Sequence, residues 1–354
     1  MRTALLPGAQ AVFETAGSGG PSASGSQAIY GALDLGTNNC RLLMARPSWD
    51  GFRVVDAFSR IVRLGEGLSS SQALGEPAIE RTIEALKICR DKMDRRGVTR
   101  ARLIATEACR SAKNGLDFVA RVEDEIGLTL EIIDRETEAM LAASGCAALA
   151  DPAADSVVLF DIGGGSTEVV WLDQRSESRS TIKDRIREWS SLPVGVVTLA
   201  ERHGGRHVTP SLYQKMITEV RDLLGPLVAA LGEDRNADAF HLLGTSGTVT
   251  TIAGVHLGLP RYDRRAVDGL WMSSIDVDGI VDRLLGMTYE ERVASACIGT
   301  ERADLVLSGC AIFDAIRAEF PSDRVRVADR GLREGILMQL MVEDGVWTGA
   351  GGLA

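Results

Sequence analysis

Two stretches of the chain carry the same order of apolar and polar positions. In AIYGALDLGTNNCRLLMARP (residues 28–47) an apolar run meets Asp34, a short turn through Gly36, Thr37, Asn38 and Asn39, then a second apolar run. In SVVLFDIGGGSTEVVWL (residues 156–172) an apolar run meets Asp161, then Gly163, Gly164, Gly165, Ser166 and Thr167, and again turns apolar. Short apolar runs interrupted by Gly and small polar residues predict two strands joined by a tight turn, a β-hairpin. The repetition predicts two similarly folded halves that face each other.

Helical and strand patterns follow each hairpin. Ile79, Ile83, Leu86, Cys89 and Met93 recur at spacings of three and four, predicting an amphipathic helix over Pro77–Arg96 that Gly97 ends. ARLIAT (Ala101–Thr106) reads as a buried strand leading into a helical segment that ends near Asn114 and Gly115. A helix over Gly115–Ile126, a strand over Leu128–Ile133 and a helix over Glu136–Ala150 come next. In the second half AFHLLGTSGTVTTIAGV reads as strand, Gly/Ser/Thr turn and helix. It is followed by a helix around Ala303–Glu319, the strand RVRVA and a terminal helix over Gly331–Val342. The predicted class is α/β, with one domain over residues 28–141 and a second over 142–345. The Gly-, Ser- and Ala-rich residues 1–27 read as a flexible leader, and residues 346–354 as a flexible tail.

The 354 residues exceed one ordinary core and suit two domains. No run of about 18 uncharged apolar residues is present, which argues against a membrane span. Six scattered cysteines without a CxxC pair fit reduced thiols in the cytoplasm better than a disulfide frame or a zinc site. The net charge of −10 argues against broad nucleic-acid binding. An anionic substrate would have to be met locally, by backbone amides, selected arginines or a metal.

Turns rich in glycine let phosphate oxygens approach backbone N–H groups, and an Asp opening such a turn suits a magnesium ion or its water shell. A dinucleotide site is the rival for a glycine cluster, but it leads from strand into helix, whereas TEVVWL continues as a strand. A third turn, Gly244–Thr248, precedes a helix; Ser246 there could receive an anion or simply cap the helix. His203 and His207 lack a third partner for zinc, and Arg175–Arg187 reads as a solvated connection. No G-x-S-x-G elbow supports a serine nucleophile, so direct attack by water is expected.

Seven segments in order, LDLGTNNCRLL, ATEACRSAKNG, EIIDRETEAMLAASG, DIGGGSTEVV, LPVGVVTLAER, GTSGTVTTIAG and ADRGLREGIL, carry a family resemblance. Together they resemble the exopolyphosphatase/guanosine pentaphosphate phosphohydrolase family of the sugar kinase–actin superfamily, over roughly Tyr30 to Leu340.

The resemblance implies two actin-like (ribonuclease H-like) domains around a cleft and magnesium-dependent hydrolysis of terminal phosphoanhydride bonds. Asp34, Gly36, Thr37, Asn38, Asn39 and Arg41 would form one phosphate loop, and Asp161 through Thr167 the other. Arg110, Gly244 and Ser246 would add phosphate contacts. Glu138 would be the catalytic glutamate, with Asp161 and Glu168 supporting the metal or the attacking water and Asp34 a further metal ligand. Family members often place two acids before the Ala that follows Glu138, where this chain has Thr137, and a Ser where it has Asn39. Longer members carry additional C-terminal helical domains, so the chain resembles the short form. Inorganic polyphosphate is the expected substrate, guanosine pentaphosphate the alternative, and a homodimer the expected assembly. A kinase-type phosphotransferase or a nucleotide-binding regulator would be the other outcomes within the superfamily.

Overall fold

The computed structural model describes residues 28–49, 51–175, 181–232 and 240–347; the stretches read as leader and tail fall outside them, apart from residues 346 and 347. The first half runs β1 (Tyr30–Leu35), β2 (Asn39–Ser48), β3 (Gly51–Ile61), α1 (Leu68–Ser71), α2 (Glu76–Arg96) and β4 (Arg100–Ala105). It continues with α3 (Glu107–Ser111), α4 (Gly115–Ile126), β5 (Glu131–Ile132) and α5 (Arg135–Cys146). The second half opens with β6 (Ser156–Ile162), β7 (Thr167–Asp173), α6 (Ile182–Arg185), β8 (Ile186–Leu192), α7 (Val196–His203) and α8 (Pro210–Leu231). Then come β9 (Phe240–Thr245), α9 (Ser246–His256), α10 (Arg264–Val267), β10 (Trp271–Ser273), α11 (Ser274–Gly286) and α12 (Tyr289–Ala294). The last elements are α13 (Val306–Glu319), β11 (Arg324–Val327) and α14 (Leu332–Glu343).

The first sheet has the order β3-β2-β1-β4-β5, and the second repeats it as β8-β7-β6-β9-β11 with β10 added at the edge. In both, the first three strands are antiparallel and the next two join them in parallel. The register repeats as well. Asp34 pairs with Arg41 across the first hairpin and Asp161 with Glu168 across the second, so both Asp-opened turns stand at the same end of equivalent strands.

Each half has its own core: Leu33, Leu35, Leu42, Leu86 and Phe118 in the first, Phe160, Trp171, Leu224 and Phe313 in the second. Between the halves the two helices α5 and α14 pack against each other. Ala139, Ala143 and Cys146 of α5 lie against the second sheet, while Ile336, Leu337 and Met341 of α14 lie on the first. The sequence reading groups residues 142–345 in one domain; the fold returns the last of these helices to the first sheet. Two glycines let the helices meet, since a Cβ at Gly145 would stand 1.9 Å from the Gly331 carbonyl oxygen and one at Gly335 2.1 Å from that of Leu141.

Several local expectations change. The strand predicted over Leu128–Ile133 contracts to Glu131–Ile132, because only Ile104 and Ala105 of β4 pair with it. The stretch read as a solvated connection holds α6, begun by a Thr181–Asp184 capping box, and the start of β8; residues 176–180 lie outside the described ones. All six cysteines are unpaired. Among the described residues, no helix is long and apolar enough to cross a membrane.

Candidate active site

The two turns are built alike. Gly36 N–H donates to the Asn39 carbonyl at 2.9 Å, and Gly163 N–H to that of Ser166 at 3.0 Å. The carbonyls of Gly163 and Gly164 are engaged by Val196 and Val197 N–H at the start of α7, at 3.0 and 2.8 Å. With those oxygens occupied, N–H donors are what the second turn has for an anion.

The turns nearly touch. A Cβ on Gly164 would lie 3.0 Å from Thr37 Cβ and 3.1 Å from Asn38 N; one on Gly165 would lie 2.5 Å from Thr37 Oγ1. Bare backbone in the second turn is therefore first a condition for the two loops to close on each other. Between them lies a cavity of about 70 Å³. Its walls include Asp34, Gly36, Thr37, Asn38, Asn39, Arg41, Glu138, Asp161, Gly163, Gly164, Gly165, Ser166, Glu168 and Ser246, all anticipated from sequence. Thr106, Glu107 and Leu332 complete it.

Three anticipated residues do not line it: Arg110, Thr167 and Gly244. Thr167 is buried and donates from Oγ1 to the Val194 carbonyl at 2.7 Å. Gly244 serves packing, since a Cβ there would come within 2.5 Å of the Phe160 ring.

Arg110 stands behind the cavity wall. Its Nη2 donates to Glu107 at 2.6 Å and to Glu138 at 3.0 Å, and its Nη1 donates to the Ile133 carbonyl at 2.8 Å. Glu107 and Glu138 are thus held by one guanidinium. Glu138 sits in the first turn of α5, whose start is capped by Asp134 through Thr137 N–H at 2.7 Å. The helix end has its own cap, so Glu138 is free for other work.

Buried carboxylates dominate the electrostatics. Burial and repulsion from Asp161 push Glu168 up to about 7, although Ser191 Oγ donates to it at 2.8 Å. Burial pushes Asp161 up to about 6, and Arg41 only partly offsets this. Burial also raises Asp34, and it raises Glu138 well above the carboxylate range with help from Glu168. Glu107 differs: burial opposes its charge, but hydrogen bonds from Ser111 and Arg110 prevail and hold it low.

A second cavity of about 380 Å³ adjoins the first and shares Asp34, Arg41, Asp161 and Ser246 with it. Arg302 and Arg333 line it, and burial lowers both, with Arg41 adding to the effect. Sequence reading missed both. Arg333 lies inside the quoted ADRGLREGIL segment, but nothing in that pattern distinguishes an inward Arg from a surface one.

The model of the Ppx/GppA phosphatase family matches residues 45–343. The chain belongs to that family. A protein named exopolyphosphatase 2 from Mycobacterium tuberculosis is 30% identical over 322 residues, 87% of this chain and 97% of its own length. A protein named guanosine-5'-triphosphate,3'-diphosphate pyrophosphatase from Photobacterium profundum is 26% identical over 328 residues, of which the alignment spans 59% of that longer protein. The crystal structure of the Aquifex aeolicus family member superposes with a TM-score of 0.72 at 28% identity, covering 90% of this chain and 98% of that one. The two-domain actin-like fold expected from the resemblance is the fold seen.

For this family member the raised carboxylates fix the sign of a pH effect. An acid whose folded-state pKa lies above its unfolded value binds its proton more tightly when folded, so stability is lost as pH rises through the folded value. For Glu168 and Asp161 that window runs from about 4 to about 7. Glu107 and Glu334 act oppositely, but their window lies below the ordinary glutamate range; His241, which burial makes harder to protonate, also opposes the trend, but only below about 6.5. In chelator, melting temperature should therefore rise as pH falls from about 8 to about 5.5. The slope is at most about 1.4 kcal/mol per pH unit for each proton, and Glu168→Gln should flatten it. Melts that fall over this range, or a slope untouched by the substitution, would contradict the electrostatics described.

Proposed function

We propose that the chain is a magnesium-dependent cytoplasmic exopolyphosphatase, releasing orthophosphate from the end of inorganic polyphosphate. The observation that carries this reading is the pair of cavities. A small chamber closed by two glycine turns suits one terminal phosphoryl group, and the larger one that adjoins it is lined by Arg41, Arg302 and Arg333, which suit the anionic remainder. The exopolyphosphatase name of a relative aligned over nearly its full length supports the choice of substrate. The pyrophosphatase name of the Photobacterium relative keeps guanosine pentaphosphate as the second reading.

Magnesium fits the donor set. Asp34, Asp161 and Glu168 offer hard carboxylate oxygens whose charge the site itself does not neutralise. Among the described residues no three His, Cys, Asp or Glu side chains gather into a ready-made metal site. Magnesium takes one or two carboxylates and completes its shell with waters and substrate phosphates. When bound, it would neutralise charge on the phosphoryl oxygens.

The remaining work falls to the protein. N–H groups of the two turns hold the terminal phosphoryl oxygens, and their fixed positions stabilise charge as the bridging bond breaks. Glu138, oriented by Arg110, takes a proton from the attacking water. Burial and the nearby Glu168 raise its affinity for protons, the direction that makes a carboxylate a stronger base. Glu168, held by Ser191, lies across the chamber and repels Glu138, so the two carboxylates share their titration.

Phosphate release measured side by side on polyphosphate and guanosine pentaphosphate tests the reading. Faster turnover on polyphosphate and collapse of activity in EDTA are expected. Preference for the nucleotide would install the second reading, and full activity in EDTA would remove the metal.

A further inference from the structure

The geometry points to Arg63 as a positioning residue for this hydrolysis: through Asp304 it fixes the first phosphate turn against the opposite half. The inference rests on the phosphoanhydride hydrolase reading above.

Residues 62–69 run between the two halves and touch the supports of both turns. On one side, Val62 N–H and Arg63 N–H both donate to the Asn38 carbonyl, at 2.9 and 3.0 Å, and Gly65 N–H donates to that of Thr37 at 2.9 Å. Two successive N–H groups reach one oxygen here, with Arg63 at a φ of 48°. That left-handed backbone is uncommon for a residue with a long side chain and marks a conformation that its surroundings enforce. Gly65 packs so close to this turn that a Cβ would meet Thr37 Cγ2 at 2.3 Å.

The Arg63 side chain then crosses to the second half. Nη1 donates to Asp304 Oδ2 at 3.0 Å, Nη2 to Asp304 Oδ1 at 3.1 Å, and Nη2 also to the Glu301 carbonyl at 3.2 Å. A two-pronged bond of this kind fixes direction as well as distance. Asp304 belongs to the same short connection as Arg302, which lines the larger chamber. The bridge thus ties a phosphate turn contributed by one half to an arginine contributed by the other.

A second tie runs through α7. Its first residues engage the Gly163 and Gly164 carbonyls, and its Glu201 accepts from Gly67 N–H and Ser69 Oγ, both at 2.7 Å. One segment therefore holds the first turn through its backbone and the second turn through α7. The bridge is partly exposed, with side-chain exposures of 32% and 22%. Its contribution to overall stability is accordingly small, whereas displacing a phosphate turn by an ångström can cost about 100-fold in rate.

The test compares Arg63→Asp, Asp304→Arg and the exchanged pair. Asp tolerates the left-handed backbone better than Arg does, so Arg63→Asp keeps the local path while reversing the charge. Each single variant should lose roughly 10- to 100-fold in turnover at saturating polyphosphate, with a melting temperature close to wild type. The exchanged pair should recover at least about 10-fold over either single variant, and Arg63→Lys should fall between wild type and Arg63→Asp. Amide hydrogen exchange over residues 62–69 and 163–167 should accelerate in the singles and slow again in the pair. A folded Arg63→Asp protein with wild-type turnover, or a pair no better than its worse single, overturns the inference. If wild type does not release phosphate from polyphosphate the functional reading fails, while the exchange data still judge the bridge.

Discussion

Glu138→Gln is expected to lower phosphate release by roughly 10²- to 10⁴-fold, the range for loss of a general base, with polyphosphate affinity kept or slightly improved. Gln can still accept the hydrogen bond from Arg110 Nη2 that Glu138 accepts at 3.0 Å, so the side chain keeps its place. It cannot take a proton from water. Stability gives a second, independent sign. Burial and repulsion from Glu168 both disfavour the charged form of Glu138, and Asp134 already caps the helix. Removing the charge should leave the melting temperature unchanged or raise it. A residue that served the helix terminus would instead lose up to about 1 kcal/mol on substitution and leave the rate per folded molecule intact. Near wild-type turnover would end the assignment and move it to Glu168.

Gly164→Val is expected to reduce turnover by about 100-fold or more while leaving each half folded. The first atom of the new side chain would stand 3.0 Å from Thr37 Cβ, 3.1 Å from Asn38 N and 3.2 Å from Asn38 Cβ, tighter than ordinary contact, and two branches follow it. The loops must part, and they can, because they belong to different halves. Gly335 makes the contrast. A Cβ there meets the Leu141 carbonyl oxygen at 2.1 Å inside the α5–α14 contact, so Gly335→Ala should lower stability through forced backbone movement, by roughly 1–3 kcal/mol. Melting curves and turnover measured on both variants separate the two roles. A Gly164→Val protein that melts as wild type and turns over normally would show that the turns need not approach.

The repeated apolar-Asp-Gly pattern carried the fold a long way. It placed Asp34 and Asp161 at matching ends of two sheets because a hairpin's register follows from its turn and its alternation. The same alternation could have removed Thr167 from the site: neighbours on a strand face opposite sides, so a cavity that receives Glu168 does not receive Thr167. Gly244 is ambiguous for a related reason, since a strand-end glycine before a Ser/Thr turn looks the same in sequence whether it admits a phosphate or packs on a Phe ring.

Other features depend on contacts that no local pattern encodes. Leu332, Ile336, Leu337, Leu340 and Met341 announce a helix with a buried face, but not that the face covers the first sheet. Arg302, Arg333 and the Arg63–Asp304 bridge likewise become visible only when segments distant in the chain come together. A lone arginine on a helix or in a turn is ordinarily solvated.

Phosphorus NMR of long-chain polyphosphate during turnover with magnesium reads the chemistry of the cleft without any mutation. A chamber that admits only a terminal phosphoryl group shortens chains without creating new ones. The orthophosphate signal should then grow at the expense of mid-chain phosphate while the end-group signal stays constant until the chains are nearly consumed. End groups that multiply ahead of orthophosphate would mean cleavage within the chain, and an unchanged spectrum would mean that polyphosphate is not the substrate.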